Sequence, residues 1–258
     1  MLLLLTLEVD RLRAWVPCTL LSASMVPFAS GALAVGTTSW ILSAKISQKL
    51  DNFLYKQYMR LCLFVFENLS GVQLIYYGDA PDIFQKAENV LILSNHQSNV
   101  DWAVIMMLTA RQDNEKGFRV MVKQTIHYVP LFGWYIFQHG YIYVRRFGNF
   151  VGQPVVKQLE WMNKLADPYA LLLFPEGTRY SLKKVAAINA SNEYLEKMSR
   201  PPLKHLFCPK SGGIKLAMDH LNSLDAVYDV TIGYEHRRLH GESPGIYQLK
   251  RKLSELGL

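Results

Sequence analysis

The chain has 258 residues and a mass of 29.5 kDa, enough for one ordinary domain of about 200 residues and an appendage. Half of its residues are hydrophobic, 19% are charged and the mean hydropathy is +0.05, which is apolar for a soluble enzyme yet too polar for a protein that crosses a membrane many times. The formal charge of +7 calls for an anionic partner: nucleic acid, a phospholipid surface or a phosphorylated small molecule. Cys18, Cys62 and Cys208 are odd in number, far apart and set among apolar residues, so buried free thiols are expected rather than a disulfide framework or a zinc site.

The first expected element is a membrane segment. Residues 14–44 contain no ionisable acid or base. As one helix they would be roughly 46 Å long against a hydrocarbon core of about 30 Å. Pro17, Pro27, Gly31 and Gly36 offer places to bend, which leaves two readings open: a kinked, tilted span, or a hairpin re-entering one leaflet. Residues 1–7 carry no Lys or Arg, and Glu8 and Asp10 precede Arg11, unlike the basic start of a cleaved signal peptide. Lys45, Lys49, Lys56 and Arg60 outnumber Arg11 and Arg13, which for a single span places the following domain in the cytosol. The expected organisation is therefore a membrane segment over 1–45, a globular domain over 46–235 and a basic tail over 236–258.

Residues 50–71 read as a helix with an aromatic and aliphatic face, closed by Gly71 and able to lie along a bilayer surface. Five apolar runs with β character follow: VLIL (90–93), RVMVK (119–123), YIYVR (141–145), ALLLF (170–174) and VYDVTIGY (227–234). Helical patterns lie between them at 100–111, 124–137, 153–166 and 213–222. This alternation predicts an α/β fold whose mostly parallel sheet is flanked by helices.

A polar knot interrupts this apolar material. Asn95, His96, Gln97, Ser98, Asn99 and Asp101 fall between a buried strand and a helix that Ser98 or Asn99 could cap. His96 then sits at the carboxyl end of a strand, where open α/β sheets bind ligands. Asp101, in the first helical turn, can fix the imidazole tautomer so that the other ring nitrogen takes a proton from a hydroxyl. Its plainer role is a negative charge at a helix start.

The spacing alone proves little, because His220 and Asp225 repeat it behind a helical pattern, where a solvated face is expected. Two further strand ends raise the first copy: Arg145 and Arg146 after one, and Glu176, Gly177, Thr178 and Arg179 after another. Arg179 offers a guanidinium fork suited to phosphate, and Gly177 permits an unusual backbone or close approach to a ligand. The plainer reading of this cluster is an ion pair locking a tight turn.

In order, NHQSNVDW, GYIYVRR and FPEGTR, with LFCPKSGG as a looser fourth block, resemble the blocks of the membrane-bound glycerolipid acyltransferases. KQTIHYVPLFGWY and YDVTIGYE extend the resemblance, which is greatest to the epsilon type of the animal lysophosphatidate (1-acylglycerol-3-phosphate) acyltransferases. The resemblance implies transfer of a fatty acyl group from acyl-CoA, as co-substrate and with no cofactor or metal, to the sn-2 hydroxyl of lysophosphatidate. It makes His96 the general base and Asp101 its orienting partner. Arg146, Glu176 and Arg179 would recognise the glycerol phosphate, Gly177 and Thr178 would shape that site, and Lys123 would assist. Consistently, the chain has no Gly-x-Ser-x-Gly nucleophile elbow.

Another lysophospholipid acceptor, such as lysocardiolipin or lysophosphatidylglycerol, or a CoA-independent transacylation, would use the same pair. The fourth block departs from the pattern after Pro209. The basic tail stands where relatives continue into another hydrophobic region, which admits a third alternative, an inactive membrane-anchored lipid-binding form. Basic residues are scattered, which argues against nucleic acid. The remaining expectations are an endoplasmic-reticulum or outer mitochondrial membrane, packing rather than an acyl tunnel for LFGWYIF, and ordinary core or surface roles for His127, His139, His205, His236 and His240. Oligomeric state is left open.

Overall fold

The computed structural model describes residues 2–69, 72–145 and 152–234, and side chains in the first helix from Trp15 onward. Helix α1 (Leu2–Thr38) and helix α2 (Ala44–Phe64) form an antiparallel pair, with a π-helical turn at Val65–Leu69 and the short helix α3 (Ala80–Ile83) after it. Strand β1 (Val90–Ser94), helix α4 (Asp101–Arg111), β2 (Phe118–Lys123), α5 (Phe132–Gln138), β3 (Ile142–Val144), α6 (Gly152–Met162) and β4 (Ala170–Leu173) follow in alternation. Helices α7 (Val185–Lys197) and α8 (Ser211–His220) precede β5 (Ala226–Val230).

The five strands form one parallel sheet in the order β3-β2-β4-β1-β5, as the alternating pattern predicts. Because successive side chains in a strand point to opposite faces, the sheet feeds two cores. Val90, Ile92, Phe118, Val120, Ala170 and Leu172 face the core built with α2, α4 and α5. Leu91, Leu171 and Leu173 face α6 and α8 through Val155, Leu159, Met162 and Ala217. The central strands β1 and β4 are buried on both sides, which is why their sequences read as unbroken apolar runs, whereas the edge strand β5 keeps Val227 and Asp229 exposed.

Helix α1 is continuous through Pro17 and Pro27, and the chain reverses at 39–43, at the carboxyl end of the apolar segment. Trp15–Thr38, 24 residues, is long and apolar enough to cross a membrane, and only 17% of its most apolar stretch is buried in the protein. Its packed face carries Met25, Ala29 and Ala32. Small residues let α5 approach closely: Gln138 Nε2 donates to the Ala32 carbonyl at 2.7 Å, and a Cβ on Gly36 would lie 2.5 Å from Gln138 Oε1. Trp15, Val16, Val26 and Leu33 point away from the protein.

The aromatic and aliphatic face of α2 packs inward. Tyr55, Tyr58, Met59, Cys62 and Leu63 belong to the main core, while Phe53 is exposed. Of the three free thiols only Cys62 is buried, and burial pushes it up to about 12. The helix expected at 124–137 divides into a 3-10 turn at Gln124–Tyr128 and α5, because Pro130 disfavours helix at Val129 and Leu131 takes φ +62°.

Candidate active site

Strand β1 ends at Ser94, and the sheet is continued for one step by a side chain. Asn95 Oδ1 accepts from the Ile232 N–H at 2.7 Å and Asn95 Nδ2 donates to the Ile232 carbonyl at 2.9 Å, so the amide stands in for a backbone partner beyond β5. His96 follows. A carboxylate only accepts, so the 2.8 Å contact between His96 Nδ1 and Asp101 Oδ2 puts the hydrogen on Nδ1. The ring stacks on Phe174, centroids 4.1 Å apart and planes 17° from parallel. Among the described residues Nε2 has no hydrogen-bond partner, and His96 lines the cavity described below.

Asp101 is fully buried, and its oxygens are satisfied by four donors. Oδ2 also accepts from the backbone N–H groups of Gln97 at 2.7 Å and Ser98 at 2.8 Å, and Oδ1 accepts from the Tyr234 hydroxyl. Burial, and then the nearby Asp101 carboxylate, push the Tyr234 phenol far up, so it stays a donor. Neither Ser98 nor Asn99 caps α4. The helix begins at Asp101, whose side chain folds back onto the turn before it, and Ser98 Oγ accepts from Val100 N–H at 3.3 Å.

The exit of β4 grips the same turn from its other side. Glu176 is buried; its Oε1 accepts from the His96 N–H at 2.7 Å and its Oε2 from the Phe207 N–H at 2.9 Å. The Tyr180 N–H donates to the His96 carbonyl at 2.7 Å. Burial raises the Glu176 carboxyl above its usual range, while the two N–H donors hold it back. Gly177 takes φ +68°, a region that favours glycine, and so turns the chain sharply behind Glu176.

His96 lines a cavity of about 600 Å³. Its polar end holds His96, Lys123, Arg145, Gly177, Lys210 and Gly212, and its apolar end runs past Trp102, Phe132 and Ile136 to Tyr58, Met59 and Cys62 of α2 and Leu21 of α1. An imidazole thus sits where a polar mouth meets a greasy interior that touches the candidate membrane helix. Residues 79–235 match the family model for acyltransferases, more than half of the chain.

The chain belongs to the acyltransferase family. Among curated relatives it is 38% identical to 1-acyl-sn-glycerol-3-phosphate acyltransferase epsilon of Mus musculus, covering 91% of this chain and 64% of that protein. It is 30% identical to the probable 1-acyl-sn-glycerol-3-phosphate acyltransferase 5 of Arabidopsis thaliana, over 76% of this chain and 51% of that one. To lysocardiolipin acyltransferase 1 of Mus musculus it is 26% identical, over 72% of this chain and 49% of that one. The chain therefore spans only about half to two-thirds of these relatives' lengths. No solved structure gives a significant match.

Of the residues singled out from the sequence, the fold brings His96, Lys123 and Gly177 to one cavity, with Asp101 directly behind His96. Glu176 accepts from two backbone amides, forms no ion pair with an arginine among the described residues, and does not line the cavity. Thr178 and Arg179 share its loop but do not line the cavity. Thr178 Oγ1 accepts from Lys184 Nζ at 2.9 Å, and Arg179 is exposed. Arg146 lies outside the described residues; its neighbour Arg145 lines the cavity and donates to Gln124 Oε1 at 2.8 Å.

The second His-Asp spacing forms no pair. His220 Nδ1 is 3.7 Å from Glu160, and Asp225 accepts from the Asn89 N–H at 2.8 Å. A true second pair joins residues far apart in sequence: His139 Nδ1 lies 2.6 Å from Asp51 Oδ2, and His139 stacks on Tyr55 at 3.5 Å. It lies in the core and does not line the cavity. Phe174, Tyr234 and Lys210 carry no signal of their own in the sequence, and only the blocks containing them hint at the site. Phe132 and Ile136, expected as packing, line the cavity.

Proposed function

We propose that the protein transfers a fatty acyl group from acyl-CoA to the free hydroxyl of a lysophospholipid, with lysophosphatidate as acceptor and phosphatidate as product. The observation that carries this reading is the His96–Asp101 pair, whose unpartnered ring nitrogen belongs to a residue lining a cavity with a cationic mouth and an apolar interior. His96 Nε2 takes the hydroxyl proton as the alcohol oxygen attacks the thioester carbonyl. The carbon–sulfur bond then breaks, and the departing thiolate takes the proton back from Nε2, giving an ester and free coenzyme A.

Asp101 keeps the imidazole in the tautomer that accepts at Nε2 and stabilises the imidazolium that forms. The phenylalanine under the ring and the two grips on the His96 backbone fix its direction, which is where positional catalysis gains most. The apolar end takes the acyl chain and the cationic end takes phosphate. Helix α1 anchors the protein in a membrane, with the catalytic domain on the cytosolic side that Lys45, Lys49 and Lys56 favour.

The similarity to a lysocardiolipin acyltransferase supports a second reading, in which the acceptor is a larger anionic lysophospholipid. A panel of lyso-acceptors offered with one labelled acyl-CoA separates the two. Lysophosphatidate should be the preferred acceptor; preference for any other lysolipid replaces it, and absence of transfer to all of them favours a lipid-binding role.

A further inference from the structure

Resting on the acyl transfer proposed above, we propose that Lys210 is a further acceptor-binding residue, its ammonium holding the phosphate of the lysophospholipid beside His96. The sheet order sets the distances. Along the carboxyl edge, Arg145 follows β3, Lys123 ends β2, Gly177 follows β4 and His96 follows β1, in the spatial order β3-β2-β4-β1. At about 4.8 Å per strand, the end of β4 is one step from His96, that of β2 about 10 Å away and that of β3 about 14 Å away.

The acceptor is much shorter than that row. Four bonds separate the attacking oxygen of lysophosphatidate from phosphorus, about 6 Å along the bonds at roughly 1.5 Å each and, with tetrahedral angles, a reach of about 5 Å. With the hydroxyl on His96, the phosphate therefore reaches a neighbouring strand end, and of β4 and β5, which flank β1, only the exit of β4 lines the cavity. There Gly177 presents no side chain, and Lys210 Nζ lies 3.9 Å from where its Cβ would be. The cations at the ends of β2 and β3 stand farther off; Lys123 reaches back only through its long side chain, and Arg145 is tied to Gln124.

The backbone holds Lys210 in this place. Its N–H donates to the Pro175 carbonyl at 2.9 Å, and Phe207 in the same segment donates to Glu176, which also accepts from His96. The segment carrying the cation and the turn carrying the base are thus fastened to one carboxylate. Among the described residues the Lys210 ammonium has no acidic partner, and both oxygens of Glu176 are already taken. The phosphate oxygens of an acceptor would accept from it in charge-assisted hydrogen bonds.

The test is equilibrium binding to the full chain in detergent, for the wild type, Lys210→Ala and Lys210→Arg, with three probes: lysophosphatidate, the monoacylglycerol of the same chain length, and coenzyme A. Lys210→Ala should weaken lysophosphatidate at least about tenfold while leaving the other two within about twofold, and Lys210→Arg should restore most of the loss. Only the backbone of Lys210 is used by the fold, and matching thermal melting of the three proteins checks that. Unchanged lysophosphatidate binding in Lys210→Ala, no binding by the wild type, or a loss confined to coenzyme A, which would assign the ammonium to the donor's phosphates, each overturns the proposal. Binding is read without turnover, so a failure of acyl transfer itself stays distinguishable.

Discussion

Glu176 holds His96 by its backbone: the carboxylate accepts the His96 N–H at 2.7 Å while its other oxygen accepts the Phe207 N–H at 2.9 Å. Glutamine can accept through only one oxygen and would turn an amide N–H toward the other donor. Glu176→Gln should therefore cost about 1–3 kcal/mol of stability and lower kcat at least about tenfold, with KM for the acceptor nearly unchanged. A rise in acceptor KM with normal melting would show instead that the carboxylate meets substrate.

Gly177 turns the chain with φ +68°, and a Cβ there would meet nothing closer than Lys210 at 3.8 Å. The cost of Gly177→Ala is then conformational, about 1–2 kcal/mol. Melting should fall accordingly, and activity more than melting, because the turn that grips His96 shifts. A variant with wild-type melting and rate would mean that the turn relaxes freely.

Ile136 lines the apolar end of the cavity and is otherwise buried. Ile136→Trp fills part of that space and should move the preferred acyl-CoA to shorter chains, with overpacking costing about 1–3 kcal/mol. A chain-length profile identical to the wild type would place the acyl group elsewhere.

The His139–Asp51 pair gives a pH dependence unrelated to catalysis. Burial and then the neighbouring Arg119 push His139 down to about 4 from an ordinary value of 6.5, so the folded ring is neutral and donates to Asp51. In the unfolded chain His139 takes up a proton near pH 6.5. Its contribution to stability is therefore complete above that pH and is lost as pH falls toward and through about 4. Denaturant melts of the wild type should weaken over that window, and His139→Gln, which does not titrate, should flatten the slope. Equal slopes would remove His139 from the acid response.

The central strands were legible because they are buried on both faces. Val90–Ser94 and Ala170–Leu173 read as unbroken apolar runs, and their ends located the polar turns beside them. Helix α7 was not, since Leu195 is its one buried residue and the core hardly constrains the rest of it. Strand β5 stops at Val230, four residues before the apolar run does, because β1 has already ended and the Asn95 side chain takes over the pairing at Ile232.

At the site, residues five apart in sequence could be paired by spacing, as His96 and Asp101 were. The contacts of Asp101 with Tyr234, of Glu176 with Phe207 and of His139 with Asp51 span 133, 31 and 88 positions. No local pattern encodes such distances. The spacing of His220 and Asp225 shows the converse, identical on paper and unpaired in the fold.

The most direct measurement is release of free coenzyme A from acyl-CoA by the purified full chain in liposomes, with and without lysophosphatidate, for the wild type, His96→Ala and His220→Ala. Release should require the acceptor, fall by about 10² to 10⁴ in His96→Ala at unchanged melting, and stay within about twofold in His220→Ala. Release that proceeds equally without acceptor, or that survives loss of the His96 imidazole, would contradict a proton-abstracting role for that ring.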